Sequence, residues 1–202
     1  MNLDKLVNVP QKLDERIIKE KGLEGEDLLP KKILALQVEL GELANEWRGF
    51  KFWSQDQEPR NGGKCNCDDG YVDVYMGHGV VEQKLCERCE GTYEVPNTLL
   101  GEYADCLHFF LSIGTHSNIK TDTEFIKTGN RDVMILFAKI NRYVAEMWWE
   151  YHDKTDEVWI KWLFGFRDFL RLGEVLGFTP EQIEQAYLEK NQVNHERQES
   201  GY

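Results

Sequence analysis

Two sets of residues in this chain have the types and spacing to do chemistry. The first is acidic: Glu39-Leu-Gly-Glu42 and Glu102-Tyr-Ala-Asp105 are both acid-x-x-acid units. Residues three apart on a helix share a side. Two such helices packed antiparallel aim four carboxylates at one spot, where they repel strongly unless a cation lies among them. Hard oxygen ligands of this kind suit Mg²⁺, which keeps several waters and bridges to phosphates. The spacing alone leaves two readings open, because acids at i, i+3 are commonly a solvated helix face. Against that stand the apolar neighbours of both pairs, Leu40 and Leu43 in one and Leu100, Ala104 and Leu107 in the other. The small residues Gly41 and Ala104 beside the acids would also permit close approach.

The second set is thiols. Cys65, Cys67, Cys86 and Cys89 fall together as CNC and, further on, CERCEG, while Cys106 stands apart. Grouped cysteines in a cytosolic chain read as metal ligands rather than disulfides. Four thiolates make a closed, structural Zn²⁺ site with no position left for water. His78 is an alternative to one of the thiolates, and a set of reduced, unliganded cysteines is the competing reading. The segment is polar and glycine-rich, so a bound metal would help order it. Cys106, beside Leu107, is expected in the core.

Elements that can position these groups follow from the apolar periodicity. Ile33, Leu36, Leu40, Leu43 and Trp47 give a helical stripe over 31–47, and Leu100, Tyr103, Ala104, Leu107, Phe110 and Leu111 another over 99–113. An earlier helical period over 2–21 is interrupted by Pro10, which is taken as that helix's start. Three more helices are expected at 131–152, 156–176 and 180–197, the last capped by Thr179 with Pro180 at its first position. Between the two acidic helices the pattern breaks, and the β-prone runs YVDVY (71–75) and VVEQK (80–84) predict a small hairpin. The expected architecture is all-α: a helical bundle forming one domain over 1–202, with a Cys-rich loop and hairpin inserted at 55–96.

The end of the chain, YLEKNQVNHERQESGY, places Lys190, Asn194 and Arg197 at i, i+4, i+7 on one helical face. Such a face is often merely polar. Here Glu189, Glu196 and Glu199 leave the segment without net positive charge, so its cations look placed rather than abundant.

The net charge of −12 argues against a nucleic-acid surface, and no apolar run approaches a membrane span. The charged N-terminal stretch does not read as a secretory signal, and a cytoplasmic protein is the expectation.

The ordered set of motifs resembles the all-α nucleoside triphosphate pyrophosphohydrolases, and within them the dimeric dUTPases of Gram-positive bacteria and their phages. Glu39, Glu42, Glu102 and Asp105 match that family's metal motif. LALQVELGELANEWRGFKFWS (34–54), QKLDERI (11–17) and the final segment are similar to it as well. The resemblance implies dUTP hydrolysis to dUMP and pyrophosphate by a water activated on two or three Mg²⁺ ions, with Glu42 as general base and Glu39 as the alternative. It implies a uracil and deoxyribose pocket from Gln11, Asp14, Trp53 and Asn194, and phosphate contacts from Lys190, Arg197 and Tyr202 that close on the nucleotide. Arg48 and Lys51 are candidates for further phosphate contacts. It also implies a homodimer, which would account for the part of the aromatic runs MWW (147–149) and VWIKWLFGF (158–166) that core packing does not. Two other functions compete: a housecleaning pyrophosphatase for another nucleotide such as dCTP, and a non-enzymatic helical interaction module.

Overall fold

The computed structural model describes residues 3–65, 67–116 and 131–201. The chain divides into two compact units, Met1–Asn45 with Leu100–Tyr202, and Glu46–Leu99. Its helices are α1 (Leu3–Lys21), α2 (Leu29–Trp47), α3 (Thr98–Gly114), α4 (Val133–His152), α5 (Val158–Val175) and α6 (Pro180–Glu199). Among the described residues none is long and apolar enough to cross a membrane.

The first unit is built on the expected stripes. α2 buries Ile33, Leu36, Leu40 and Leu43; α3 buries Tyr103, Leu107, Phe110 and Leu111. Aromatic side chains of α5 fill the space over α3. Tyr103 stacks on Phe169 with centroids 4.3 Å apart, Phe110 stacks on the same ring at 4.8 Å, and the Trp162 indole N–H donates to the Phe110 carbonyl. Gly173 makes room for Tyr103, since a Cβ there would stand 2.5 Å from the phenol oxygen. α4 lies along α5, and α6 against α1. α6 opens with a full capping box in which Thr179 and Gln182 satisfy each other's backbone N–H groups. Cys106 is fully buried.

Two expectations need correction. α1 begins at Leu3 and runs through Pro10 instead of starting there. Pro10 lies in the second turn, so few intrahelical bonds precede it, and its ring is buried on the same face as Leu6 and Leu13. What looked like a break is a core position. Gly41 does not mediate close packing: a Cβ there would meet nothing within 4 Å, whereas Ala104 is fully buried. The helix expected at 180–197 forms and runs to Glu199.

In the second unit β1 (Gly63–Lys64) pairs antiparallel with β4 (Glu94–Val95), and β2 (Tyr71–Gly77) with β3 (Val80–Leu85). His78 and Gly79 form the hairpin turn, both in the left-handed region with φ of 52° and 81°. His78 is therefore a turn residue, and the four cysteines gather without it. At the root of the unit, Arg60 N–H donates to the Glu46 carbonyl, Leu99 N–H to the Arg60 carbonyl, and the Thr98 hydroxyl to the Glu46 carboxylate.

Candidate active site

α2 and α3 present their acids as the spacing requires. Glu39, Glu42 and Glu102 each offer a carboxylate oxygen, and these oxygens lie within 4.8 Å of one another. They line a cleft of about 490 Å³ in the first unit, together with Asp105, His108 and Phe109 of α3, Asp14 of α1, and Lys190, Asn194, Arg197 and Gln198 of α6. That volume suits a nucleotide-sized ligand. The wall is acidic on α2 and α3, and carries amides and cations on α6.

The electrostatics mark Glu39. Burial, then the charges of Asp105, Glu42 and Glu102, push its carboxyl up to about 7, and Lys190 acts in the opposite direction. Asp105 is paired with a cation: the Lys190 ammonium donates to its Oδ2. The Lys190 stem lies over Gly101, where a Cβ would stand 3.4 Å from Cε. His108 is buried between the acids and the aromatic wall, its ring 6.0 Å from those of Phe109 and Tyr187. Burial lowers its pKa against the pull of Asp14 and Asp105. On α6 the Gln198 Oε1 is buried without a hydrogen-bond partner among the described residues. That leaves an acceptor for a ligand to satisfy.

Asp14 is held on two sides. Lys32 Nζ donates to its Oδ2 at 2.7 Å, and Ser112 Oγ donates to the same oxygen at 2.5 Å. Lys32 also lies 3.3 Å from His116 Nε2. Both charged side chains are largely buried, at 11% and 19% exposure. Lys32→Met leaves the carboxylate without its cation. The expected loss is about 2 kcal/mol of unfolding free energy in urea, with a raised KM for dUTP. A loss below about 0.5 kcal/mol would reduce the pair to an ordinary surface contact.

The fold gathers Asp14, Asn194, Lys190 and Arg197 at the cleft with the four acids. It does not bring Gln11 there: Gln11 is exposed and donates to Glu15 one turn on. Trp53 belongs to the second unit, where it is 66% exposed and packs edge-on against Phe50 and Phe52, so it is no core residue. Arg48, in the same unit, donates to the Asp56 carbonyl. Tyr202 lies outside the described residues. Sequence reasoning missed His108, Phe109, Lys32 and Ser112. Continuing the acid stripe of α3 by three residues from Asp105 would have found His108, because it shares that face. Lys32 and Ser112 carry no such signal.

Residues 2–76 and 92–202 match the dUTPase family. The chain belongs to the dUTPase family. No match is found among curated proteins. The activity of this dUTPase, hydrolysis of dUTP to dUMP and pyrophosphate, follows from its membership. Its all-α bundle is the family's fold class. The unmatched stretch, 77–91, falls inside the second unit, so the acids and the α6 cations of this dUTPase all lie in matched sequence.

Proposed function

We propose that the acidic cleft is where dUTP is hydrolysed, and that Glu39, Glu42, Glu102 and Asp105 are the Mg²⁺ ligands. The convergence of three carboxylate oxygens within 4.8 Å, beside a fourth acid already neutralised by Lys190, carries this reading. The donor set fits the ion: the oxygens are hard, and burial, then the charges of Asp105, Glu42 and Glu102, raises the Glu39 carboxyl to about 7, a cost that a cation would relieve. Bound there, Mg²⁺ supplies charge for the triphosphate and a water acidic enough to attack phosphorus.

The chain's own residues do the rest. Of the two candidate bases, Glu39 suits the task better than Glu42. It is half-buried and its carboxyl sits near neutral pH, where a base both accepts and releases a proton readily, whereas Glu42 is exposed. Lys190 and Arg197 approach the phosphates from α6, the lysine as a point charge and the arginine as a planar fork. Asn194 and Asp14 bind the nucleoside, Asp14 as an acceptor fixed by Lys32 and Ser112. Gln198 adds the unpartnered acceptor of the same wall. The 55–96 segment is an insertion within one bundle domain and carries none of the four acids.

The protein acts as a homodimer in the cytoplasm. The dimer reading is supported by Leu34 and Val38 on α2 and Trp149 on α4, which are more than half exposed. Leu34, Trp148 and Trp149 also line one apolar groove. The cytoplasmic reading is supported by free thiols throughout. A nucleotide panel with Mg²⁺, scored by pyrophosphate release, tests the activity. dUTP is expected to be the best substrate; preference for dCTP would sink the substrate assignment, and no hydrolysis of any nucleotide would sink the catalytic one.

A further inference from the structure

The geometry points to a structural Zn²⁺ site at Cys65, Cys67, Cys86 and Cys89 that stands in for the missing hydrophobic core of the second unit. Cys65 Sγ lies 3.6 Å from Cys86 Sγ, and Cys67 Sγ 3.4 Å from Cys89 Sγ. All four sulfurs lie within 4.8 Å of one another, and all are free thiols. Four thiolates bound tetrahedrally about 2.3 Å from one ion stand about 3.8 Å apart, so the cluster needs little rearrangement to close on zinc.

The backbone around the sulfurs is shaped for thiolates. The backbone of Gly70 favours the Cys67 thiolate, and the backbone of Gly91 and Tyr93 favours that of Cys89. Such contacts offset the excess negative charge of a four-thiolate site. Each pair is followed by a turn that brings these groups round, through Asp69-Gly70 and Glu90-Gly91, with all four residues at positive φ. The two turns meet: a Cβ on Gly70 would stand 2.9 Å from Gly91 Cα, and Cys86 N–H donates to the Gly70 carbonyl.

Little else holds this region. Among the described residues of 46–99 only Gly70, Cys86, Cys89 and Leu99 are buried. β2 and β3 are exposed along almost their whole length, and an isolated two-stranded hairpin is at best marginally stable in water. Two of the four ligands, Cys86 and Cys89, fall in the stretch that the dUTPase family does not match. All four ligands belong to the second unit, and the inference does not rest on how the acidic cleft works. Four protein ligands leave no open position, so the zinc orders the chain and does not react.

The full chain, purified without chelator, is expected to hold one zinc by elemental analysis. Stripping the metal under reducing conditions should expose four thiols to a disulfide reagent, and re-adding Zn²⁺ should protect all four. The fifth, Cys106, is fully buried and stays unreactive in both states. Stripped protein should also be cut by protease within 65–92, and the zinc-loaded form should not. Cys86→Ser with Cys89→Ser should abolish zinc retention while helical circular dichroism persists; Cys106→Ser should retain it. Substoichiometric zinc, thiols equally reactive with and without Zn²⁺, or iron in place of zinc overturns the inference. dUTP turnover reports the cleft separately: protein that turns over dUTP but holds no zinc as purified overturns the zinc site alone, and zinc without turnover leaves it standing.

Discussion

Glu39→Gln is expected to lower kcat for dUTP by about 10³-fold while the protein stays folded. The substitution keeps the size of the side chain and removes both its charge and its basicity. It also removes a charge that burial, and then Asp105, Glu42 and Glu102, disfavour, the effect that raises the carboxyl to about 7, so unfolding measurements should show no loss of stability. The pH profile adds a second check. A carboxyl with a raised pKa is protonated below that value, and a protonated Glu39 neither accepts the water's proton nor binds a cation. In wild type, kcat/KM should therefore fall as pH drops through about 7 and level off above it. More Mg²⁺ should move the fall to lower pH, because cation and proton compete for the same oxygens. Wild-type-like turnover by Glu39→Gln, within about tenfold, would place the base elsewhere, and the same comparison with Glu42→Gln ranks the two.

The second large effect is at the other wall. A chain ending after Glu189 should lose dUTP hydrolysis entirely and keep its bundle. The buried residues of α6, Ile183 and Tyr187, lie before the cut, as does the capping box at Thr179. What is lost is Lys190, Asn194, Arg197 and Gln198, all on the cleft. Lys190→Met alone should lower kcat/KM by about 10²-fold, the scale for one charged group aimed at developing phosphate charge. Unaltered hydrolysis by the shortened chain would mean that α6 only closes the bundle. Retained helical circular dichroism and cooperative unfolding are needed beside the loss of activity.

Much of this arrangement was legible in the residues, for physical reasons. Leu36, Leu40 and Leu43 fix which way α2 turns, and once that face is buried Glu39 and Glu42 have only its edge to occupy. The same holds for Tyr103, Leu107 and Phe110 with Glu102 and Asp105. The hairpin was legible because its turn needs positive φ at two adjacent residues, and His78-Gly79 is placed between two β-prone runs. Lys32 was not legible. It sits among other lysines and glutamates in an ordinary helical segment, and its partner Asp14 lies on another helix. Pairings across helices depend on rotation and offset, which the period of one helix does not contain. Pro10 misled because its local effect is to end helices, while its burial on α1 is decided by the rest of the bundle.

The contact between Lys190 and Asp105 has a thermodynamic consequence. Asp105 already has a counter-ion, so a free metal ion must displace the ammonium before it can use that oxygen. The displaced lysine then needs a new anion, and the phosphates of an incoming nucleotide provide one. At the proposed site, metal and nucleotide affinities would thereby be linked: each ligand would improve the site for the other, and by reciprocity the two enhancements would be equal. The enzyme would be a poor buffer of free Mg²⁺ and a good receptor for the magnesium–nucleotide complex, with the linkage disappearing in Lys190→Met.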